Sequence, residues 1–115
     1  MEEGIAVADP LPKVYLSGAM TGKPQMNFPL FNKWAAELRK LGYTVVNPVE
    51  LNPDPKADWF KCMRDDIRAL CDCDLICLLP GWEESSGAHL ELHIAHRLGI
   101  KVQTANDLMA KHWGF

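Results

Sequence analysis

The run DLICLL, Asp74–Leu79, is apolar from its second residue to its last and is cut off by Pro80-Gly81. A strand that is apolar on both faces must be covered on both, which is the position of a central strand in a parallel sheet between two helical layers. Working outward, Trp59–Leu70 reads as a helix with Asp58 as its cap. Downstream, a loop Trp82–Ser86 leads to a helix Gly87–Leu98 closed by Gly99, a strand Ile100–Thr104 and a short helix from Asn106. Nearer the start, Lys13–Ser17 (KVYLS) is a strand that runs into the glycine-rich loop Gly18–Gly22 (GAMTG). Asn27 is placed to cap a helix Phe28–Leu41. Stepping 100° per residue there gathers Leu30, Phe31, Trp34, Leu38 and Leu41 on one face and leaves Lys33, Glu37 and Lys40 outside it. Gly42 ends that helix, Tyr43–Asn47 (YTVVN) forms a strand, and the Pro-, Asn- and Asp-rich Pro48–Pro55 reads as a loop.

Strands alternating with helices through short loops predict an α/β fold: a three-layer, doubly wound (Rossmann- or flavodoxin-like) sandwich with a parallel sheet of four to five strands. Residues 1–12, with two prolines and no sustained period, read as a loose arm, so the domain is expected over 13–115. A chain of 115 residues has no room for a second domain. Twelve basic against fifteen acidic side chains, net −3 with no Lys/Arg block, argue against a nucleic-acid polymer as partner. No apolar run approaches the roughly 20 residues that span a bilayer, and a cytoplasmic protein without membrane association is expected. Cys62, Cys71, Cys73 and Cys77 fall within a helix and a buried strand. They read as small core residues, because Cys71-x-Cys73 lacks the second pair a structural zinc would need.

Two carboxylates fall on the wrong helical faces. In the Gly87–Leu98 helix the apolar face is drawn by Leu90, Ile94, Ala95 and Leu98, and Glu91 lies between Leu98 and Ala95, toward the core. In the Trp59–Leu70 helix, Trp59, Met63, Ile67 and Leu70 mark the buried stripe; Asp66 lies beside them, whereas Asp65 sits with Lys61 and Arg68. A buried carboxylate without partners costs several kcal/mol or takes up a proton, so a pair on helices flanking one central strand points to function. The competing explanation for either is a carboxylate bonded to loop amides. Paired carboxylates suit C–N or C–O glycosidic cleavage, one meeting an anomeric carbon of oxocarbenium character while the other handles a proton.

In doubly wound sheets ligands bind beyond the carboxyl ends of the strands, so Gly18–Gly22, Pro48–Pro55 and Pro80–Ser86 are expected to converge. GAMTG matches neither a dinucleotide fingerprint nor a phosphate loop ending in Gly-Lys-Ser/Thr.

The series Tyr15-x-Ser17-Gly18-x-Met20-x-Gly22, then Asp66 eight residues before Asp74, then Leu79-Pro-Gly-Trp82-x-x-Ser85-Ser86-Gly87-Ala88-x-x-Glu91, resembles the nucleoside 2-deoxyribosyltransferase superfamily. It is most similar to a small phage and bacterial branch related to the 2′-deoxynucleoside 5′-phosphate N-hydrolases, and the likeness runs from Lys13 to Thr104. The resemblance implies cleavage or transfer of the N-glycosidic bond of a small nucleoside or nucleoside 5′-monophosphate. Glu91 would be the nucleophile, Asp66 the carboxyl that assists the leaving base, and Tyr15 the hydroxyl that orients the nucleophile and sugar. It also implies substrate contacts at Ser17, Gly18, Met20, Gly22, Pro48, Ser85 (facing a 5′-phosphate) and Gly87, with Trp82 stacking on the base or simply covering the sheet end. Ala19 and Thr21 stand where the nucleotide hydrolases carry a serine and an arginine, which leaves phosphate binding open, with Lys23 as a substitute cation. A homodimer or higher homo-oligomer is implied as well, with Met109, Trp113 and Phe115 available near the end. No cofactor and no metal are expected. His89, His93 and His96 recur on one face, but Glu91 projects some 140° or more away, so the four cannot share an ion. The rival to an enzyme is a module that binds a nucleotide or nucleotide-sugar as a signal without cleaving it. A purely structural role would follow from the lack of a pocket at the three loop ends.

Overall fold

The computed structural model describes residues 10–113. Residues 1–9 of the expected arm, and Phe115, lie outside that range. Four parallel strands, β1 (Lys13–Ser17), β2 (Thr44–Val46), β3 (Leu75–Leu78) and β4 (Lys101–Thr104), form one sheet in the order β2-β1-β3-β4. Five helices accompany them: α1 (Phe28–Lys40), α2 (Pro48–Leu51), α3 (Trp59–Cys71), α4 (Ser86–Arg97) and α5 (Ala105–Trp113). The fold is the doubly wound α/β sandwich that the alternation predicts.

The period of two along the strands divides the sheet into two packed faces. Val14 and Leu16 of β1 join Leu75 and Cys77 of β3 against Phe31, Ala35 and Leu38 of α1 and Leu108 and Met109 of α5. Tyr15 of β1 joins Ile76 and Leu78 of β3 against Leu70 of α3 and Ala95 of α4. Every residue of β3 is buried, as its unbroken apolar run requires. Met109, one of the residues available for a subunit contact, is committed to this chain's own core.

The structure corrects several local expectations. Asn27 precedes α1 but does not cap it by its side chain: its backbone is left-handed, and its Nδ2 donates instead to the Ala19 carbonyl at 2.9 Å. Pro48–Pro55 is not all loop, because Asn47 Oδ1 accepts from Val49 N at 3.1 Å and Pro48 stands at the first helical position, enough to start the single turn α2. Trp82–Glu84 likewise forms a 3₁₀ turn. In α4 the buried stripe is Gly87, Ala88, Glu91 and Ala95, while Leu90 and Leu98 are exposed. Small residues let a helix approach its neighbours closely, so Leu90 and Leu98 turn outward while Leu92 and Ile94 pack half-buried against the core. Trp59, assigned to the buried stripe of α3, is exposed by 44%. Of the cysteines, Cys73 and Cys77 are buried, but Cys71 is exposed.

Candidate functional site

Asp58 Oδ2 accepts from Lys61 N at 2.9 Å and fixes the start of α3. From there the helical phase separates two adjacent carboxylates. Asp65 faces outward and is held by Lys61 Nζ at 2.7 Å and Arg68 at 3.1 Å, and its pKa is lowered chiefly by the Lys61 hydrogen bond. Asp66 turns inward, is 8% exposed, and its Oδ1 is buried without a hydrogen-bond partner. Burial, with the Glu91 and Asp65 charges adding to it, pushes Asp66 up to about 7.

On α4, Ser85 Oγ accepts from Ala88 N at 3.0 Å, so the helix is capped by the residue the resemblance assigns to a phosphate. One turn further on, Glu91 is 5% exposed and meets β1. Tyr15 Oη donates to Glu91 Oε2 and Ser17 Oγ to Glu91 Oε1, each at 2.6 Å. Residues two apart on a strand share a face, which is why one carboxylate receives both hydroxyls. Burial pushes Glu91 up to about 7 against the downward pull of Ser17 and Tyr15. The Tyr15 hydroxyl is raised well above its ordinary value, by burial and then by the Glu91 charge, and so stays a donor.

A cavity of about 340 Å³ opens at the carboxyl ends of the strands, and the three expected loops do converge on it. Met20 and Thr21 come from the first, Pro48, Asn52, Asp54 and Pro55 from the second, and Glu84, Ser85 and Ser86 from the third. Asp66 and Gly87 line it as well. Of the residues singled out in the sequence, Met20, Pro48, Asp66, Ser85 and Gly87 therefore meet at one cavity. Glu91, Tyr15 and Ser17 are not in its lining and form a buried hydrogen-bonded cluster, with Glu91 one turn along α4 from Gly87.

Gly18, Gly22 and Trp82 are placed elsewhere. A Cβ on Gly18 would lie 3.1 Å from Leu79 Cβ and 3.4 Å from Phe31 Cζ, so that glycine serves the close approach of loop to core. Gly22 has φ +82 with open space around it, a turn requirement. Trp82 contacts His89 with the two rings tilted 50° to one another, centroids 5.1 Å apart, and lines a second cavity with Pro80, Thr104 and Asp107. His89, His93 and His96 are exposed, opposite the buried Glu91.

Sequence reasoning missed Met26, Phe28, Trp59, Cys62 and Met63 in the cavity wall. Met26 is delivered by three consecutive left-handed residues, Gln25, Met26 and Asn27, with φ of 53, 54 and 60. No glycine marks that turn in the sequence. Trp59 and Met63 did carry a signal, apolar spacing on α3, but the same spacing describes a core stripe and a cavity wall.

Residues 12–104 match the family model described as a domain of unknown function, DUF4406. No curated protein matches the chain. Among the described residues, no helix is long and apolar enough to cross a membrane.

Proposed function

From a chain that belongs to the DUF4406 family, whose description names no chemistry, we propose an enzyme that cleaves or transfers the N-glycosidic bond of a small nucleoside or nucleotide. The observation that carries this is the pairing of two buried carboxylates, both raised to about 7, one fixed by two hydroxyls and the other unpartnered at the cavity wall. A carboxyl near neutrality can hold a proton or yield one at working pH, and a pair with different surroundings divides those roles.

The Glu91 carboxylate attacks C1′ and the C1′–N bond breaks, its electron pair leaving with the base. Protonated Asp66, which lines the cavity, delivers the proton the departing base needs. A glycosyl ester of Glu91 remains. Water, or the nitrogen of a second base, then attacks C1′ while the Asp66 carboxylate takes its proton, and Glu91 is released as carboxylate with the configuration retained. Tyr15 and Ser17 keep Glu91 in a single rotamer and favour its charged form. Because Glu91 is not in the cavity lining, the anomeric carbon must reach it from the side of Asp66 and Gly87.

The same recess favours a second function, a module that binds a nucleotide or nucleotide-sugar without cleaving it. Incubation with ribo- and deoxyribonucleosides and their 5′-monophosphates, followed by chromatography for free base, decides between the two. Base release that vanishes in Glu91→Gln supports glycosidic chemistry, and exchange exceeding hydrolysis when a second base is added makes it a transferase. Saturable binding without release from any substrate, undiminished in Glu91→Gln, favours the binding module.

A further inference from the structure

We infer that the cavity takes nucleosides that carry no phosphate and discriminates against their 5′-monophosphates, a selection that rests on the nucleoside chemistry proposed above. Three carboxylates line the cavity, Asp54, Asp66 and Glu84, and among the described residues no lysine or arginine does. Lys23, the substitute cation of the first loop, is engaged: its Nζ pairs with Glu84 Oε1 and so neutralises a cavity carboxylate instead of offering a free charge. Lys61 Nζ is likewise engaged, by Asp65 at 2.7 Å. Ser85, the residue implied to face a phosphate, uses its oxygen to cap α4 and directly follows Glu84. The start of α4 would attract an anion, but Glu83 and Glu84 stand immediately before it. Asp66 lines the cavity as well, and as the protonated carboxyl proposed above it offers a phosphate no positive charge. The apolar part of the wall, Met20, Met26, Phe28, Trp59 and Met63, is thioether and aromatic, suited to the flat face of a base. A phosphate dianion entering here would meet the Asp54 carboxylate and, among the lining residues, no bidentate cationic partner to offset its lost hydration.

The test separates binding from turnover. Glu91→Gln protein, which stops the proposed chemistry, is titrated calorimetrically with each common nucleoside and its 5′-monophosphate, and thermal shifts of the wild-type chain give the same comparison without a substitution. The nucleoside is expected to bind about tenfold or more tightly than its monophosphate, a gap of about 1.4 kcal/mol, and Glu84→Gln should narrow it. Tighter binding of the monophosphate, lost in Lys23→Met, would overturn the inference by making Lys23 a phosphate ligand. Failure to bind either ligand overturns it too. Base release from monophosphates alone sinks the phosphate-free selection and keeps the glycosidic chemistry, whereas the expected binding order without base release from anything does the reverse.

Discussion

Ser17 Oγ and Glu91 Oε1 lie 2.6 Å apart although 74 positions separate them in the chain. The contact joins the end of the first strand to the middle of the fourth helix and is completed by Tyr15, which donates to the other oxygen. Two hydroxyls on one buried carboxylate do opposite work to burial: desolvation favours the protonated form, and the donors favour the anion. Glu91 is thereby kept near neutrality with its position fixed.

Ser17→Ala removes one donor and leaves burial in place. The Glu91 pKa should rise further, and the acid limb of the pH profile of kcat/KM for base release should move up by about 1 pH unit, as loss of a hydrogen bond to a charged group of about 1.5 kcal/mol or more implies. Ser17→Thr should restore the limb. If Ser17 only packs, the substitution lowers Tm and leaves the limb where it was.

Asp66 predicts a stability that depends on pH. Its folded-state pKa, about 7, lies above the ordinary aspartate value of 3.8, so the folded chain holds a proton that the unfolded chain releases between those values. Stability from this group is fully present below about pH 4 and is lost as pH rises through about 7. Asp66→Asn should therefore raise stability in urea unfolding by on the order of 2 kcal/mol at pH 8, with little gain at pH 4.5, while base release collapses. A gain of equal size at both pH values would show that Asp66 is not protonated in the fold.

Much of this was legible in the sequence. The unbroken apolar run of β3 and the glycine and proline boundaries place the elements, and the phase of the helices turns Asp66 and Glu91 inward. Other features escaped for physical reasons. Gly87, Ala88 and Ala95 define the buried face of α4 because they are small, so a wheel weighted by hydrophobicity finds Ala95 and turns Glu91 inward but leans too far toward Leu90 and Leu98. The left-handed turn at Gln25–Asn27 has no glycine to announce it. Trp59 has the spacing of a core residue, and only the three-dimensional opening between the loops makes it cavity wall.

The two inward glycines should behave differently. A methyl at Gly18 meets Leu79 Cβ at 3.1 Å, an atom next to the backbone that cannot swing away, so Gly18→Ala should cost about 1–3 kcal/mol in urea unfolding. At Gly87 the nearest atom is Met63 Sδ at 3.3 Å, part of a flexible side chain that also lines the cavity. Gly87→Ala should keep stability within about 1 kcal/mol, helped by alanine's helix propensity, and raise KM through the displaced Met63.

Asn27 combines φ 60 with a hydrogen bond from its side chain to the Ala19 carbonyl. Glycine tolerates the backbone but loses the bond, and alanine loses both. Stability should fall in the order wild type, Asn27→Gly, Asn27→Ala, with the alanine variant down by about 2 kcal/mol. Alanine as stable as glycine would mean that the turn relaxes when the side chain is shortened.

Two tryptophans compete for the role of base platform, and the structure separates them. Trp82 lies in tilted contact with His89 beside the second cavity, whereas Trp59 lines the first together with Asp66. Stacking of a base on an aromatic ring is worth about 1–3 kcal/mol, so Trp59→Ala should raise KM for base release roughly ten- to a hundredfold, since each 1.4 kcal/mol is tenfold. Trp82→Ala should leave KM nearly unchanged and lower Tm slightly through the lost His89 contact. The reverse pattern would move the base to the second cavity, away from both carboxylates, and glycosidic cleavage by Glu91 and Asp66 could not then stand.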